Sequence, residues 1–321
     1  MTPLFSLILI ILFIYLNLLY NVYSLRKRPC KYPLEVLSNP PKGKTVYITQ
    51  SDGTKIKTVT AGSGPTIIFA HGYGASLYEW NLIADQLVSE GYSIIAFDQK
   101  GHCGSTIGSE GITSSSMASV YKSVLEYYDV KKGTLVGHSM GGFLSIVFML
   151  SYPDVVRERL SSAIIMASFA GDVNRDNTQN KLQLPLITSG LIDLITRSKI
   201  LGYPFTRALI GDEPDSALIE AFLQEFRKVN HKPLVPIMKA FSKENYYDQL
   251  NKIGIPCTII AGTKDKTTPP FHANDMAINI PHARLVLVEG KGHLLNWESP
   301  ESIVEEIRKV NIPKVLNKLD G

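Results

Sequence analysis

The sequence has few cysteines, no Asn-x-Ser/Thr glycosylation acceptor and only a small excess of positive charge. Its three cysteines, Cys30, Cys103 and Cys257, are too few and too scattered for a disulfide framework or a zinc site, so we expect neither a metal nor another cofactor. Lysine and arginine total 33 against 29 aspartate and glutamate, and no basic run is interleaved with aromatic residues. A nucleic-acid partner is therefore not expected.

Charged side chains are absent from residues 1–25, and residues 4–20 are almost continuously apolar. A helix needs about 20 such residues to cross a bilayer, so residues 1–25 predict a transmembrane anchor. A cleaved signal peptide is the alternative, but the segment lacks a positive start and a small-x-small cleavage site. Arg26, Lys27 and Arg28 follow at once, which predicts a single-pass membrane protein whose remaining chain is cytoplasmic.

The whole chain of 321 residues, 45% hydrophobic and 19% charged, has the composition of a globular protein. Residues 26–44 are rich in proline and charge, and we interpret them as a linker. Apolar and polar residues then alternate on both sides of Ser51-Asp52-Gly53, a turn sequence that predicts a β-hairpin.

Short apolar runs without alternation follow, as expected for strands buried on both faces of a parallel sheet. These runs occupy 65–72, 92–99, 133–139, 162–168, 255–265 and 283–293. Helix-length segments such as 77–90 and 114–128 separate them. The sequence therefore predicts an α/β fold with a mostly parallel central sheet flanked by helices.

This alternation stops over residues 171–250, where leucine, isoleucine and phenylalanine recur at helical spacing. We expect a helical lid there, because it would lie over the strand ends where open α/β sheets bind ligands. The α/β core would then be built from two parts of the chain, residues 45–170 and 251–321.

The stretch TLVGHSMGGF runs from an apolar strand directly into glycine and serine. Gly137, Ser139 and Gly141 form the G-x-S-x-G pattern of a sharp strand-to-helix turn that presents a nucleophilic serine. The same residues also suit an ordinary turn. A serine hydroxyl is a weak nucleophile, so the catalytic interpretation requires a base, an acid and an anion-stabilising pocket elsewhere.

A base and an acid occur after the last two predicted strands. His293 follows the last strand and Asp265 follows the one before it. We predict that His293 takes the proton of Ser139 and that Asp265 fixes the tautomer of the imidazole. Asp172, after an earlier strand, is the alternative acid.

The stretch FAHGYGAS supplies a candidate oxyanion pocket. His71 and Gly72 stand at the end of an apolar strand, and we expect the backbone amides of Tyr73 and Met140 to bind the developing oxyanion. Gly72 and Gly74 would let the backbone approach the substrate closely, although glycines here also suit a simple turn.

Together these motifs resemble the α/β-hydrolase superfamily, from the hairpin near residue 45 to the last predicted helix near residue 310. The matching segments are HGYG, FDQKGHCGS, GHSMGG, GTKDKTTPP and GKGHLLNWESPE. GHSMGG and the lid are similar to those of monoglyceride lipases and related carboxylesterases. The second segment departs from the common pattern, with Lys100 where arginine is usual and Cys103 between the glycines. Asp98 is expected to organise that loop.

The resemblance implies a serine hydrolase that cleaves carboxylic esters through an acyl-serine intermediate. The membrane anchor favours a lipase or esterase acting on acylglycerol-type lipids, because tethering raises the effective concentration of esters dissolved in the bilayer. Two alternatives stay open. One is other chemistry with the same triad, as in carbon-carbon bond hydrolases and cofactor-free haloperoxidases or perhydrolases. The other is a non-enzymatic receptor or scaffold on the same fold.

Overall fold

The computed structural model describes residues 3–311 and has an eight-stranded sheet at its centre. The strands are β1 (Lys44–Thr49), β2 (Lys55–Gly62), β3 (Thr66–Ala70), β4 (Ser93–Phe97), β5 (Gly133–His138), β6 (Leu160–Met166), β7 (Cys257–Gly262) and β8 (Arg284–Val288). Their order in the sheet is β1-β2-β4-β3-β5-β6-β7-β8. β2 is antiparallel to both of its neighbours, and the remaining pairs are parallel. The predicted hairpin and the mostly parallel sheet are therefore confirmed.

Fourteen α-helices occur within the described residues. They are α1 (Pro3–Arg26), α2 (Leu34–Leu37), α3 (Asn81–Ser89), α4 (Ser114–Tyr127), α5 (Met140–Ser151), α6 (Pro153–Arg159), α7 (Thr178–Thr188), α8 (Leu191–Arg197), α9 (Lys199–Arg207), α10 (Ser216–Phe226), α11 (Val235–Lys243), α12 (Pro270–Asn279), α13 (Leu295–Glu298) and α14 (Pro300–Asn311). The helix predicted over 77–90 is divided, because Leu77–Trp80 forms a 3-10 turn capped by Ser76 before α3 begins.

Strand β3 explains why the core strands lack alternation. Ile67 and Phe69 pack in the apolar cluster that includes α3 and α14, whereas Ile68 and Ala70 pack in the cluster that includes α4 and α5. All four side chains are buried. The sheet is thus covered on both faces, and the loops after its parallel strands meet at one edge.

The chain between β6 and β7 forms a helical insertion made of α7 to α11. Gly171 and Asn245 form an antiparallel bridge at its base, and the amide of Tyr246 donates to the carbonyl of Ala170 at 2.8 Å. The two ends of the insertion therefore lie side by side, above the edge of the sheet.

Helix α1 is long and apolar enough to cross a membrane, and most of its length is exposed. Its last turn packs against α9, where Val22 and Leu25 are buried. The stretch predicted as a linker contains α2, whose Leu37 is buried against α10. An amphipathic single turn of this kind is too short to show helical periodicity in the sequence.

Candidate active site

Ser139 lies in a tight turn between β5 and α5. Its φ of 52° and ψ of −117° are a conformation that residues with a Cβ rarely adopt. The flanking glycines are required by space, since a Cβ on Gly141 would lie 2.1 Å from the carbonyl oxygen of Ala70 and one on Gly137 would lie 2.6 Å from Ser145 Oγ. The turn therefore has the geometry of a nucleophile elbow.

The three residues proposed for the triad lie within hydrogen-bonding reach. Ser139 Oγ is 3.0 Å from His293 Nε2, and His293 Nδ1 is 2.8 Å from Asp265 Oδ2. Because an ionised carboxylate only accepts, Nδ1 carries the proton and Nε2 is free to accept the hydrogen of the serine hydroxyl. Asp172, the alternative acid, is instead in a loop where its amide donates to the carbonyl of Glu244. The structure does not bring it to His293.

Asp265 is buried and held by donors. Its Oδ1 accepts from the amides of Thr267 and Thr268 at 2.8 and 2.9 Å, and its Oδ2 accepts from Thr268 Oγ1 at 2.8 Å. Burial alone would raise the pKa of this carboxyl, but its interaction with His293 and these hydrogen bonds hold the pKa below its ordinary value. Asp265 therefore stays ionised opposite His293.

The loop that carries His293 is fixed by a second carboxylate. Glu298 accepts from the amides of Gly292 and Gly211, and the amide of His293 donates to the carbonyl of Leu209 at 2.7 Å. Gly211 and Leu209 follow helix α9. The helical insertion thus takes part in positioning the imidazole.

The predicted oxyanion residues lie beside the serine. A Cβ on Gly72 would be 3.3 Å from Ser139 Cβ, and within the described residues the amides of Tyr73 and Met140 have no hydrogen-bond acceptor. Met140 is also the first residue of α5, where the helix dipole favours negative charge. These amides are available to an oxyanion.

His71 holds the loop after β3, which carries Gly72 and Tyr73, in place through its ring nitrogens. Burial lowers the pKa of His71 to about 3, so the ring is neutral. Its Nδ1 donates to the carbonyl of Gly72 at 2.7 Å, and its Nε2 accepts from the amide of Gln99 at 2.8 Å. The ring therefore joins the loop after β3 to the loop after β4.

Asp98 organises the loop after β4, as expected. Its carboxylate accepts from the amides of Leu77 and Gly104, both at 2.9 Å. Lys100 in the same loop is fully buried, and its Nζ lies 2.6 Å from Asp52 Oδ2 in the β1–β2 turn. The lysine that replaces the usual arginine thus makes an ion pair that joins this loop to the β1–β2 turn.

Sequence reasoning missed a buried pair beside the triad, His138 and Glu79. His138 Nδ1 lies 3.1 Å from Glu79 Oε1, and His138 Nε2 lies 2.9 Å from the carbonyl oxygen of His293. Burial opposes charge on His138, but Glu79 and the carbonyl of His293 raise its pKa above the ordinary value, which favours a proton on both ring nitrogens. The only signal in the sequence was the histidine directly before Ser139, because Glu79 is distant along the chain.

A cavity of about 320 Å³ opens beside Ser139 and His293. Residues of the insertion form most of its wall, and its apolar members include Leu184, Ile187, Ile192, Phe205, Phe222 and Phe226. Its volume falls at the lower end of the range for small-molecule pockets. Within residues 3–311, no group of three His, Cys, Asp or Glu side chains is placed to hold a metal ion.

A mostly parallel sheet with a serine elbow, a histidine and an aspartate at one edge defines a class of α/β hydrolases. The sequence profile of the alpha/beta hydrolase family matches residues 67–306. The chain therefore belongs to the alpha/beta hydrolase family.

Individual relatives carry different names. The chain is 24% identical over 272 residues to a bifunctional esterase/perhydrolase of Acinetobacter calcoaceticus, covering 81% of this chain and 97% of that one. It is 24% identical over 258 residues to a non-heme haloperoxidase of Rhodococcus erythropolis, covering 77% and 92%. The solved esterase of Exiguobacterium antarcticum has a TM-score of 0.74 at 23% identity, covering 84% and 100%, and so shares the fold.

Proposed function

We propose that the protein is a membrane-anchored serine hydrolase that cleaves carboxylic esters of lipids. The observation that carries the proposal is the 3.0 Å separation of Ser139 Oγ and His293 Nε2 at the mouth of an apolar cavity. In that position the imidazole takes the hydroxyl proton while Oγ forms a bond to the ester carbonyl carbon.

The remaining steps use the same groups. The negative oxygen of the tetrahedral intermediate accepts from the amides of Tyr73 and Met140, and His293 returns the proton to the departing alcohol. Water then loses a proton to His293 and attacks the acyl-Ser139, which releases the acid and restores the hydroxyl. Asp265 stays ionised throughout and stabilises the imidazolium.

The N-terminal helix is proposed as a permanent anchor. Val22 and Leu25 are buried against α9, and Arg26 Nε donates to the hydroxyl of Tyr203 at 3.2 Å. Signal-peptide cleavage would remove these contacts from the folded protein. Arg26, Lys27 and Arg28 predict that the folded domain is cytoplasmic.

The apolar wall and the anchor together favour lipid substrates, with acylglycerol-type esters first. Phenylalanine, leucine and isoleucine side chains of the insertion would bind the acyl chain, since burial of apolar surface is the main source of affinity there. The insertion would act as the lid that keeps water from the acyl chain.

Perhydrolysis is a second candidate, favoured by the names of the esterase/perhydrolase and haloperoxidase relatives. In that reaction hydrogen peroxide replaces water as the group that attacks the acyl-Ser139, and the product is a peracid. Peracid formation from an ester and hydrogen peroxide, compared with hydrolysis in the same sample, distinguishes the two activities.

A fluorophosphonate probe tests the nucleophile. The wild-type chain should be labelled and should hydrolyse a monoacylglycerol, and Ser139→Ala should lose both properties. Ser151→Ala, an exposed serine at the end of α5, is the matched control and should keep both. Labelling that persists in Ser139→Ala would disprove the assignment.

A further inference from the structure

Four leucines of the helical insertion are exposed to solvent. They are Leu182 on α7, Leu191 and Leu194 on α8, and Leu201 on α9, with exposed fractions between 43% and 64%. Single exposed leucines are ordinary, but these lie on consecutive helices that pack against one another. Leu191 and Leu194 are also three residues apart and share one side of α8. We call these four side chains the leucine face.

The leucine face adjoins the N-terminal helix. Pro204 of α9 and Ala208, the residue directly after α9, line a crevice together with Leu18 and Leu25 of α1. Leu201 lies three residues before Pro204 and therefore on the same side of α9. Helix α1, which we propose to lie in the bilayer, thus packs on the helix of the insertion that carries Leu201.

The charges around the leucine face suit an anionic membrane surface. Residues 178–207 contain four basic residues, Lys181, Arg197, Lys199 and Arg207, against one acidic residue, Asp193. Lys181, Arg197 and Lys199 are exposed. Basic side chains close to the membrane bind anionic headgroups, while apolar side chains between them enter the acyl boundary.

We propose that the leucine face docks onto the anionic leaflet of the bilayer that holds α1. This inference rests on the membrane attachment in the proposed function and extends it to the entry of substrate. Helices α7 and α9 also line the cavity, through Leu184 and Phe205. A lipid ester therefore moves from the leaflet into the cavity along the docked insertion, without crossing bulk water.

Tryptophan fluorescence tests the docking without reference to activity. Both native tryptophans, Trp80 and Trp297, are buried, so the tryptophan introduced by Leu194→Trp is the one available to lipid. The full chain is reconstituted in vesicles that contain phosphatidylserine and phosphatidylcholine brominated in its acyl chains. Ile278→Trp, at a position on α12 that is 80% exposed, is the matched control.

Docking predicts strong quenching of Leu194→Trp and little quenching of Ile278→Trp. If neither variant is quenched in vesicles that carry the protein on flotation, the docking is disproved and anchoring by α1 alone remains. Failure of the wild-type chain to float would disprove the anchor and the docking together. Fluorophosphonate labelling of Ser139 tests the proposed hydrolase separately, because it depends neither on the quenching of the two variants nor on flotation.

Hydrolysis provides the second test. The double variant Leu191→Ser/Leu194→Ser should hydrolyse a long-chain monoacylglycerol in vesicles roughly fivefold more slowly, since less apolar surface enters the leaflet. Its rate on soluble p-nitrophenyl butyrate should equal that of the wild type. Ile278→Ser/Leu287→Ser, also at exposed positions, should leave both rates unchanged. Equal loss on both substrates, or no loss on either, would overturn the proposal.

Discussion

At Ser139 the backbone adopts a φ of 52°, which costs on the order of 1–3 kcal/mol in a residue with a side chain. Glycine adopts this conformation without that cost. We therefore expect Ser139→Gly to be more stable than Ser139→Ala by about 1 kcal/mol, after allowing for the greater entropy of glycine in the unfolded chain. Thermal and urea unfolding of the two inactive variants measure the difference. Equal stability would mean that the turn is unstrained.

Asp265 holds the imidazole through Nδ1, so its charge is needed for the correct tautomer. Asp265→Asn should lower kcat by roughly 10⁴-fold, the loss found when a triad acid becomes an amide. The fold should survive, because the asparagine side chain still accepts from the amides of Thr267 and Thr268. Asp172→Asn is the control and should keep near-full activity. The opposite result would move the acid role to Asp172.

The His138–Glu79 pair makes stability depend on pH. Burial opposes charge on His138, but Glu79 raises the pKa of His138 above its ordinary value of 6.5. The pair's stabilisation is therefore complete below about pH 6.5 and is lost as pH rises through the raised pKa of the folded state. Glu79→Gln should be less stable than the wild type below pH 6.5. It should also lack the decrease in stability that the wild type shows as pH rises.

Thermal unfolding of wild type and Glu79→Gln between pH 5 and pH 9, roughly the range in which histidine titrates, checks this. Glu35→Gln, in an exposed glutamate of α2, serves as the control and should follow the wild-type curve. Parallel curves for wild type and Glu79→Gln would contradict the charged state of His138.

Between elements, the ion pair of Asp52 and Lys100 joins the β1–β2 turn to the loop after β4. Lys100→Met removes the positive partner of the Asp52 carboxylate, whose side chain is largely shielded from solvent. The unpaired charge should destabilise the fold by about 3 kcal/mol. Adding Asp52→Asn should restore part of that loss, since the unpaired charge is removed. Urea unfolding of the single and double variants measures the coupling. Additive losses would mean that the pair contributes nothing specific.

The same pair predicts acid sensitivity. Burial opposes ionisation of Asp52, but Lys100 and Thr54 lower its pKa to about 2. The pair's contribution is therefore present above the ordinary pKa of 3.8 and is lost as pH falls from about 4 to about 2. Acid unfolding of the Lys100→Met/Asp52→Asn variant should lack this component.

For the whole molecule, a permanent anchor predicts that the chain resists carbonate extraction and keeps its N-terminal residues. The physical reason is that α1 is apolar over its exposed length while its last turn is packed on the insertion. The intact mass of the membrane-bound protein shows whether the N-terminal residues are kept. Release into the carbonate supernatant, or a mass that lacks the first turns of α1, would contradict the anchor.

The sequence by itself determined the sheet, because strands buried on both faces appear as apolar runs and their turns as glycine and aspartate. It also indicated Ser139, Asp265 and His293, since parallel strands carry the residues after them to one edge of the sheet. The strands and the residues that follow them can be predicted because both depend on local sequence pattern and on strand direction.

Only the tertiary structure decided the contacts between residues that are distant along the chain. Glu79 reaches His138, Lys100 reaches Asp52, and α1 packs on α9, yet none of these partners has a local pattern that marks the other. Apolar periodicity indicates that a helix has a buried side, but it does not indicate which element packs against that side. The packing of these helices and loops selected those partners and, with them, the walls of the cavity.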